Sequence, residues 1–444
     1  MRDEAIRAVL SEVANDPVEQ AGPSASDFVY VDIGSIDRDR KTIAAPQTML
    51  TEAAPSRAKQ RLKTGDVLVS MTRPNLNAVA IVSESLDGAI GSTGFHVLRS
   101  KWMAPKYLHY LVQSQEFIDA MCAVVQGALY PAVRPSDIAA FEMRVPPHAE
   151  QTRIVDKLEE LLSDLDAGVA ELKAAQKKLA QYRRSLLNAA VTGSLTDSGS
   201  SYPKVLLGEI VTSLGQGWSP RCEREPATSN DDWAVIKTTA IQPLSFDGRH
   251  NKRLPTALRP REHLELRPGD LLVTRAGPRA RVGITCLVRE TRRRLLLCDK
   301  AYRIECNCEL IDPAFLELVL NAPAFVNQID SLKTGINDSG LNLTQERFFA
   351  LSIPLPPLAE QQAVIRGVES QIRDSDEQHA VVERALRQST AQRKNILQAA
   401  FSGQIVPQDP NDEPASVLLA RIRAERAAVA AIGTRRGRRV GTAL

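Results

Sequence analysis

A heptad of apolar residues, present twice in one polypeptide, restricts this chain more than any other feature. Between Ala149 and Gly193, Leu158, Leu165, Leu172, Leu179 and Leu186 recur every seven residues, with Val155, Leu162 and Val169 in the intervening positions. An a/d pattern held that long asks for a long helix with a partner. Pro146 and Pro147 precede it, and Gly193 stands where the helix should stop. The partner lies further along. Ala359 to Gly403 repeats the segment in register: Pro356-Pro357 answers Pro146-Pro147, Ala359-Glu360-Gln361 answers Ala149-Glu150-Gln151, and Ala399-Ala400 answers Ala189-Ala190. Its seam becomes Ile365, Val368, Ile372, Val382, Leu386 and Ile396, with Ser375, His379 and Ser389 as weaker members. One such helix could simply lie on a core, but two matched copies point to an intramolecular coiled coil. Gln176, Arg183 and Arg393 interrupt the seam as register-fixing positions or as contacts to something else.

The segments before each helix also repeat. Phe28 to Ile33 alternates like a strand and is answered by Trp233 to Lys237. Arg61 to Val82 reads as a Gly65-Asp66 turn, a strand Val67-Leu68-Val69, a polar loop and a second strand; Leu266 to Val288 repeats it around Gly269-Asp270. Pro105 to Met121 is predicted as one helix and is answered by Pro313 to Ile329; the loop Gly127 to Arg134 is answered by Gly335 to Asn342. The expected fold class is mixed α/β, one head-plus-helix unit used twice, with a Gly/Ser/Asp/Thr hinge from Gly193 to Ser201. The second head opens with Leu207-Gly208-Glu209-Ile210, which the first lacks in recognisable form, so the first head is either truncated or opened by Met1 to Ala14. The tail is predicted to hold a short amphipathic helix with Leu418, Leu419 and Ile422 on one side, ending in a disordered Arg-rich stretch that is either solvated or a phosphate contact.

Composition excludes more than it selects. The 444 residues suggest about three domains. No apolar run approaches the ~20 residues a membrane helix needs and no signal peptide opens the chain, which predicts a cytoplasmic location. A net charge of +3 does not announce nucleic acid. Cys122, Cys222, Cys286, Cys298, Cys306 and Cys308 form no CxxC pair and have no nearby histidine, so buried thiols in a reducing compartment are expected rather than a metal site. There is no P-loop, no GxGxxG opening a helix, no HExxH and no Pro-Pro-aromatic motif for base methylation. Glu171-Leu172-Lys173 resembles half a nuclease motif, but Leu172 belongs to the seam. The chain reads as a scaffold with two heads rather than as an enzyme.

Each head carries a polar loop between two short strands: Thr72, Arg73, Asn75 and Asn77 in the first, Arg275, Arg279 and Arg281 in the second. Arginine pairs bidentately with guanine edges and asparagine with adenine, and either can hold phosphate. Any one of these residues could equally be ordinary surface; their recurrence at equivalent places in diverged heads favours two like modules meeting unlike targets. Tyr130, Arg134, Lys237, Asn337 and Asn342 join them as candidate DNA contacts. The alternative is a coiled-coil adaptor with protein-binding heads.

The doubled signature, RVPPHAEQTRIVDKLEELLSDLD and SIPLPPLAEQQAVIRGVES, each ending in an Ala-Ala…Gly stop, resembles the conserved regions of the specificity subunit of type I restriction-modification enzymes. The resemblance implies two target-recognition domains, 1–147 and 206–357, each reading half of a bipartite DNA sequence. It implies long helices, 148–193 and 358–403, that pair antiparallel as spacer and as docking surface for two methyltransferase subunits; 194–205 is then a linker and 404–444 a tail. The docking and coiled-coil residues would be Glu150, Gln151, Leu158, Leu165, Leu172, Leu179, Glu360, Gln361, Val368, Ile372 and Leu386. It further implies that this chain has no catalytic or metal residues of its own. S-adenosylmethionine, ATP and Mg would sit on partner subunits, including a motor-nuclease. A helix of this length would span roughly 60 Å, and four residues inserted after Ala174 would add ~6 Å, or about two base pairs, to the distance between half-sites if both helices adjust.

Overall fold

The computed structural model describes residues 6–125, 131–195 and 202–440, with side chains to residue 428. The chain divides into two compact units, one of Met1–Glu171 with Ala385–Leu444 and one of Leu172–Arg384. Both long helices pass through the division: the first runs His148–Thr192 and the second Leu358–Phe401. Each unit therefore holds a head together with the beginning of one long helix and the end of the other.

Within each unit these helix segments pack head to foot, through equivalent residues. In the first unit Ile154, Val155, Leu158 and Leu162 share a core with Ile396, Leu397, Ala400 and Phe401. In the second, Val364, Ile365 and Val368 share one with Leu186, Leu187, Ala190 and Val191. The arginines that interrupt the seam take carboxylate partners across it. Arg183 pairs with Asp376 at 2.7 Å, and Arg393, its counterpart 210 residues on, pairs with Asp166, the counterpart of Asp376. Both helices stop on a glycine at positive φ, Gly193 at 79° and Gly403 at 77°. The amide of the next residue turns back, Ser194 N–H to Ala189 O and Gln404 N–H to Ala399 O, a Schellman closure that a Cβ at the glycine would strain.

In the first unit, strand Arg7–Val9 pairs antiparallel with Glu142–Arg144 and runs into the one-turn helix Leu10–Val13. In the second, Lys204–Leu206 pairs with Ser352–Pro354 and runs into Leu207–Ile210. The N-terminal residues thus open the first head as Leu207-Gly208-Glu209-Ile210 opens the second. What the first head lacks is the following strand, Val211–Gln216, which in the second unit joins Ala301–Cys306, Leu271–Thr274 and Thr285–Leu287 in a four-stranded sheet. Its counterpart in the first unit is three-stranded, with Val67–Ser70 between Phe95–Leu98 and Val79–Ile81. The Gly-Asp turn feeding these strands is the same in both heads. Gly65 and Gly269 have φ of 85° and 96°, and Asp66 and Asp270 accept the amide N–H three residues back, of Lys63 and Arg267.

Several expectations need correction. The helix predicted over Pro105 to Met121 is two, Pro105–Leu111 and Gln115–Ala123, because Ser114 caps the second by accepting the Phe117 N–H. Its counterpart breaks at Pro323 into Pro313–Asn321 and Pro323–Leu332. The tail helix extends over Ala415–Val440, through the stretch expected to be disordered, and buries Leu418, Leu419 and Ile422 in the first unit's core beside Leu10 and Val13. Arg423 pairs there with Glu12, and Arg153 with Asp412 at 2.5 Å. Only Cys286 and Cys298 are buried; Cys222 and Cys306 are half-buried and Cys122 and Cys308 exposed, the last beyond the end of its strand. Among the described residues no cluster of His, Cys, Asp and Glu could hold a metal ion, and no helix is long and apolar enough to cross a membrane.

One buried titratable group gives the first unit an acid limit. His109 is 9% exposed, lies beside the Tyr110 ring, and its Nε2 has no hydrogen-bond partner. Burial, and secondarily the Lys41 ammonium, push its imidazole down to about 4. Above pH ~6.5 the ring is neutral folded or unfolded. Below that the unfolded ring takes a proton that the folded one refuses until about pH 4. Stability should therefore fall across that window by up to about 3 kcal/mol. His109→Gln is expected to flatten this part of the profile, checked by comparing melting at pH 7 and pH 5. An equal acid loss in parent and variant would place the sensitivity elsewhere.

Candidate nucleic-acid interface

In both heads, two loops far apart in sequence are hydrogen-bonded to each other. In the second unit the strand Leu271–Thr274 ends at Arg275, and Ala276–Gly277 pairs antiparallel with Leu341–Asn342. Leu343 N–H donates to Arg275 O at 2.7 Å, and Arg279 N–H to Asp338 O at 2.8 Å. In the first unit Thr72 bridges Ala132, Arg73 N–H donates to Pro131 O at 2.7 Å, and Val133 N–H to Met71 O at 2.8 Å. The loop after the central strand and the loop before the last short helix thus form one composite surface in each head.

The side chains on that surface differ in freedom. Thr72, Arg73, Asn75, Arg134, Asn337 and Asn342 are exposed. Arg73 and Asn77 hold left-handed backbone, φ 49° and 44°, on either side of the turn Pro74–Leu76. Asn77 is buried: its amide donates to Val112 O at 2.7 Å and its Oδ1 accepts from Lys41 Nζ at 2.9 Å. Tyr130 lies outside the described residues. Arg275 donates to Asp299 O at 2.6 Å, with its guanidinium 5.5 Å from the Tyr302 ring centre. Arg279 is shared between Asp330 at 2.7 Å and Asp338 at 3.0 Å. Such surface pairs contribute little, about 0–1 kcal/mol, so exchanging them for another anion costs little. Arg281 is half-buried and donates to the carbonyls of Thr238 and Ile241, tying the loop that follows Lys237 to the same surface. Lys237 is itself half-buried.

No family model matches the chain. Across 390 residues it is 24% identical to the type I restriction enzyme EcoKI specificity subunit of Escherichia coli strain K12, a match taking in 83% of this chain and 82% of that one. A solved structure from a study of complex assembly and conformational transition in a type I restriction-modification system superposes with a TM-score of 0.73 at 25% identity, over 90% of this chain and 98% of that one. The chain is a relative of the type I restriction enzyme specificity subunits. The HsdS subunit of Thermoanaerobacter tengcongensis also matches, with a TM-score of 0.51, 25% identity and coverage of 90% and 97%. The EcoEI specificity subunit of Escherichia coli is 40% identical, but over 163 residues that span 37% of this chain and 27% of that subunit.

The residues that carry this specificity-subunit signature face inward. Gln151 and Gln361 are fully buried, and Glu150 is buried on Arg144 at 2.7 Å. Glu360 is half-buried. Leu158 and Val368 are buried, whereas Leu165, Leu172, Leu179, Ile372 and Leu386 stay half-exposed. Spacing identified the seam but not this gradient, which arises because only the helix ends are covered by a head. Sequence reasoning missed Arg38, Lys41 and Lys394, which lie in a cleft beside Asn75 and Asn77. The charge cluster Asp37-Arg38-Asp39-Arg40-Lys41 was the available signal.

Proposed function

We propose that this chain is the DNA-recognition subunit of a type I restriction-modification complex, with each composite loop surface meeting one half of a bipartite target. The observation that carries this is the recurrence of the same loop pairing in two diverged heads of a specificity-subunit relative. The chain itself catalyses nothing; S-adenosylmethionine, ATP and Mg belong to partner subunits. The half-exposed apolar residues along the helix pair, Leu165, Leu172, Leu179, Ile372 and Leu386, offer a surface for two methyltransferase subunits, through which motor-nuclease subunits join.

The test is methylation mapping in the assembled complex. Arg279→Ala and Asn342→Ala are expected to relax the second half-site while the first stays intact. Removing a side chain that reads a base edge costs about 1–3 kcal/mol of discrimination at that base. Equal weakening on both halves would reduce these residues to general phosphate contacts. An unmethylated genome with the wild-type chain and its partners present would remove the proposal itself.

A further inference from the structure

A cleft of about 760 Å³ opens in the first unit where the Asn75–Asn77 loop approaches the second long helix. Its lining brings together Arg38 and Lys41 from a hairpin, Asn75 and Gln113 from the head, and Arg393 and Lys394 from the helix. The nearby acids leave this charge largely unbalanced. Asp37 turns its carboxylate to the amides of Asp39 and Arg40, at 2.9 and 3.0 Å, and Asp166 takes Arg393. Asp39 is exposed and attracts Lys41. Arg38 and Lys394 form no ion pair among the described residues. Lys41 is held at φ 56°, and its Nζ donates to Asn77 O at 2.6 Å and Oδ1 at 2.9 Å, which uses two of its three protons.

The arrangement has a counterpart in the second unit. A cleft of about 760 Å³ lies between Arg279 and the first long helix, lined by Asn321, Val326 and Arg184. Counting from Pro105 and Pro313, Asn321 and Val326 stand where Gln113 and Ile118 stand; Arg184 is the counterpart of Lys394. There the head's own cations are already occupied, since Asp330 takes both Arg279 and Lys333. Two diverged heads thus keep a basic helix residue beside the same loop.

We propose that the cleft formed by Arg38, Lys41, Arg393 and Lys394 seats a phosphodiester group of the DNA backbone, so that the long helix grips the duplex as well as spacing the heads. The inference rests on the DNA-recognition function proposed above. Cations with amide donors fit a phosphate oxygen better than an apolar or cationic ligand. A duplex meeting Asn75 also carries one charge per ~1.7 Å of axis, so a phosphate is always near such a loop. Arg184 plays the same part, more weakly, in the second unit.

Burial pushes the Lys41 amine down to about 8 against the upward pull of Asp39, with the charges of Arg393 and Arg38 adding to the fall; neutral His109 and Asn77 complete its surroundings. Binding should therefore weaken as pH rises from 7 to 9 and Lys41 loses its proton, and Lys41→Arg should remove that dependence. In the full chain with its methyltransferase partners, Lys41→Met with Lys394→Gln is expected to weaken target and random duplex alike. The slope of log affinity against log salt should shrink by about 1, the value for one phosphate contact, with the specificity ratio unchanged. Lys41→Arg, which keeps the charge, should restore most of it. DNA should also shield Lys41 from an amine-acylating reagent. An unchanged salt slope in the double variant, with wild-type binding normal, would overturn the cleft's role alone; failure of the wild-type complex to bind any duplex would instead overturn the function proposed. Shielding of Lys41 by inorganic phosphate but not by DNA would assign the cleft to a free anion and refute the backbone contact.

Discussion

Gln361→Ala is expected to destabilise the second unit by about 3 kcal/mol, and Gln151→Ala the first by as much. Each glutamine is fully buried where the head meets the start of its long helix. Gln361 Oε1 accepts the Asp312 N–H at 2.8 Å, and its amide donates to Leu310 O at 2.9 Å and Pro356 O at 2.8 Å. Gln151 accepts the Ala104 N–H at 2.8 Å and donates to Pro146 O at 3.0 Å. One side chain thus ties the entry to the head's paired helices, the proline corner and the rod together. Truncation leaves an amide unpaired in each case, with two carbonyls at Gln361 and one at Gln151, each such buried group at about 1–3 kcal/mol, and adds a small cavity. Glutamate would not rescue, because a buried carboxylate cannot donate to the carbonyls. Because each latch lies in one unit, the measurement should follow hydrogen exchange in each unit rather than a global melt. Unchanged protection of the second head in Gln361→Ala would show that the proline corner holds without its latch.

That latch marks the limit of what the sequence discloses. The Pro-Pro-x-Ala-Glu-Gln signature was visible because it occurs twice, but recurrence does not say whether a residue faces a partner or the interior. The long helices were legible for a stronger reason: apolar period, proline start and glycine stop all agree over more than forty residues, so one physical requirement is written several times. The heads lack that redundancy. Their strands are two to six residues long, and the pairing that organises each sheet joins distant segments, as when Tyr30 runs parallel to Ile90 and Ala234 to Leu295. The polar loops were located by composition, yet composition treated Arg281 and Arg73 alike. One is committed to backbone carbonyls inside its head, and the other is exposed beside a left-handed turn. Lys41 went unnoticed because its importance comes from its burial and from a cleft it shares with Arg393, more than three hundred residues away.

Inserting one heptad after Ala174 and another after Arg384 is expected to move methylation to targets whose half-sites lie about three base pairs further apart. Seven residues add ~10 Å of helix at ~1.5 Å each, against ~3.4 Å per base pair. The heptad matters as much as the length. Seven residues return the seam to the same face within ~20°, so each helix meets its partner with the apolar stripe unbroken. Both positions must change together, since Ala174 and Arg384 are equivalent in the repeat and lengthening one helix alone would offset Asp166 from Arg393 or Arg183 from Asp376. A four-residue insertion in both helices adds ~6 Å, about two base pairs, but turns the following segment by ~40°, so its longer spacer should come with a loss of activity that the heptad avoids. Methylation mapping of the paired-heptad variant decides the matter: a spacer identical to the parent's would mean that the helices hold the heads without measuring the distance between the bases they read.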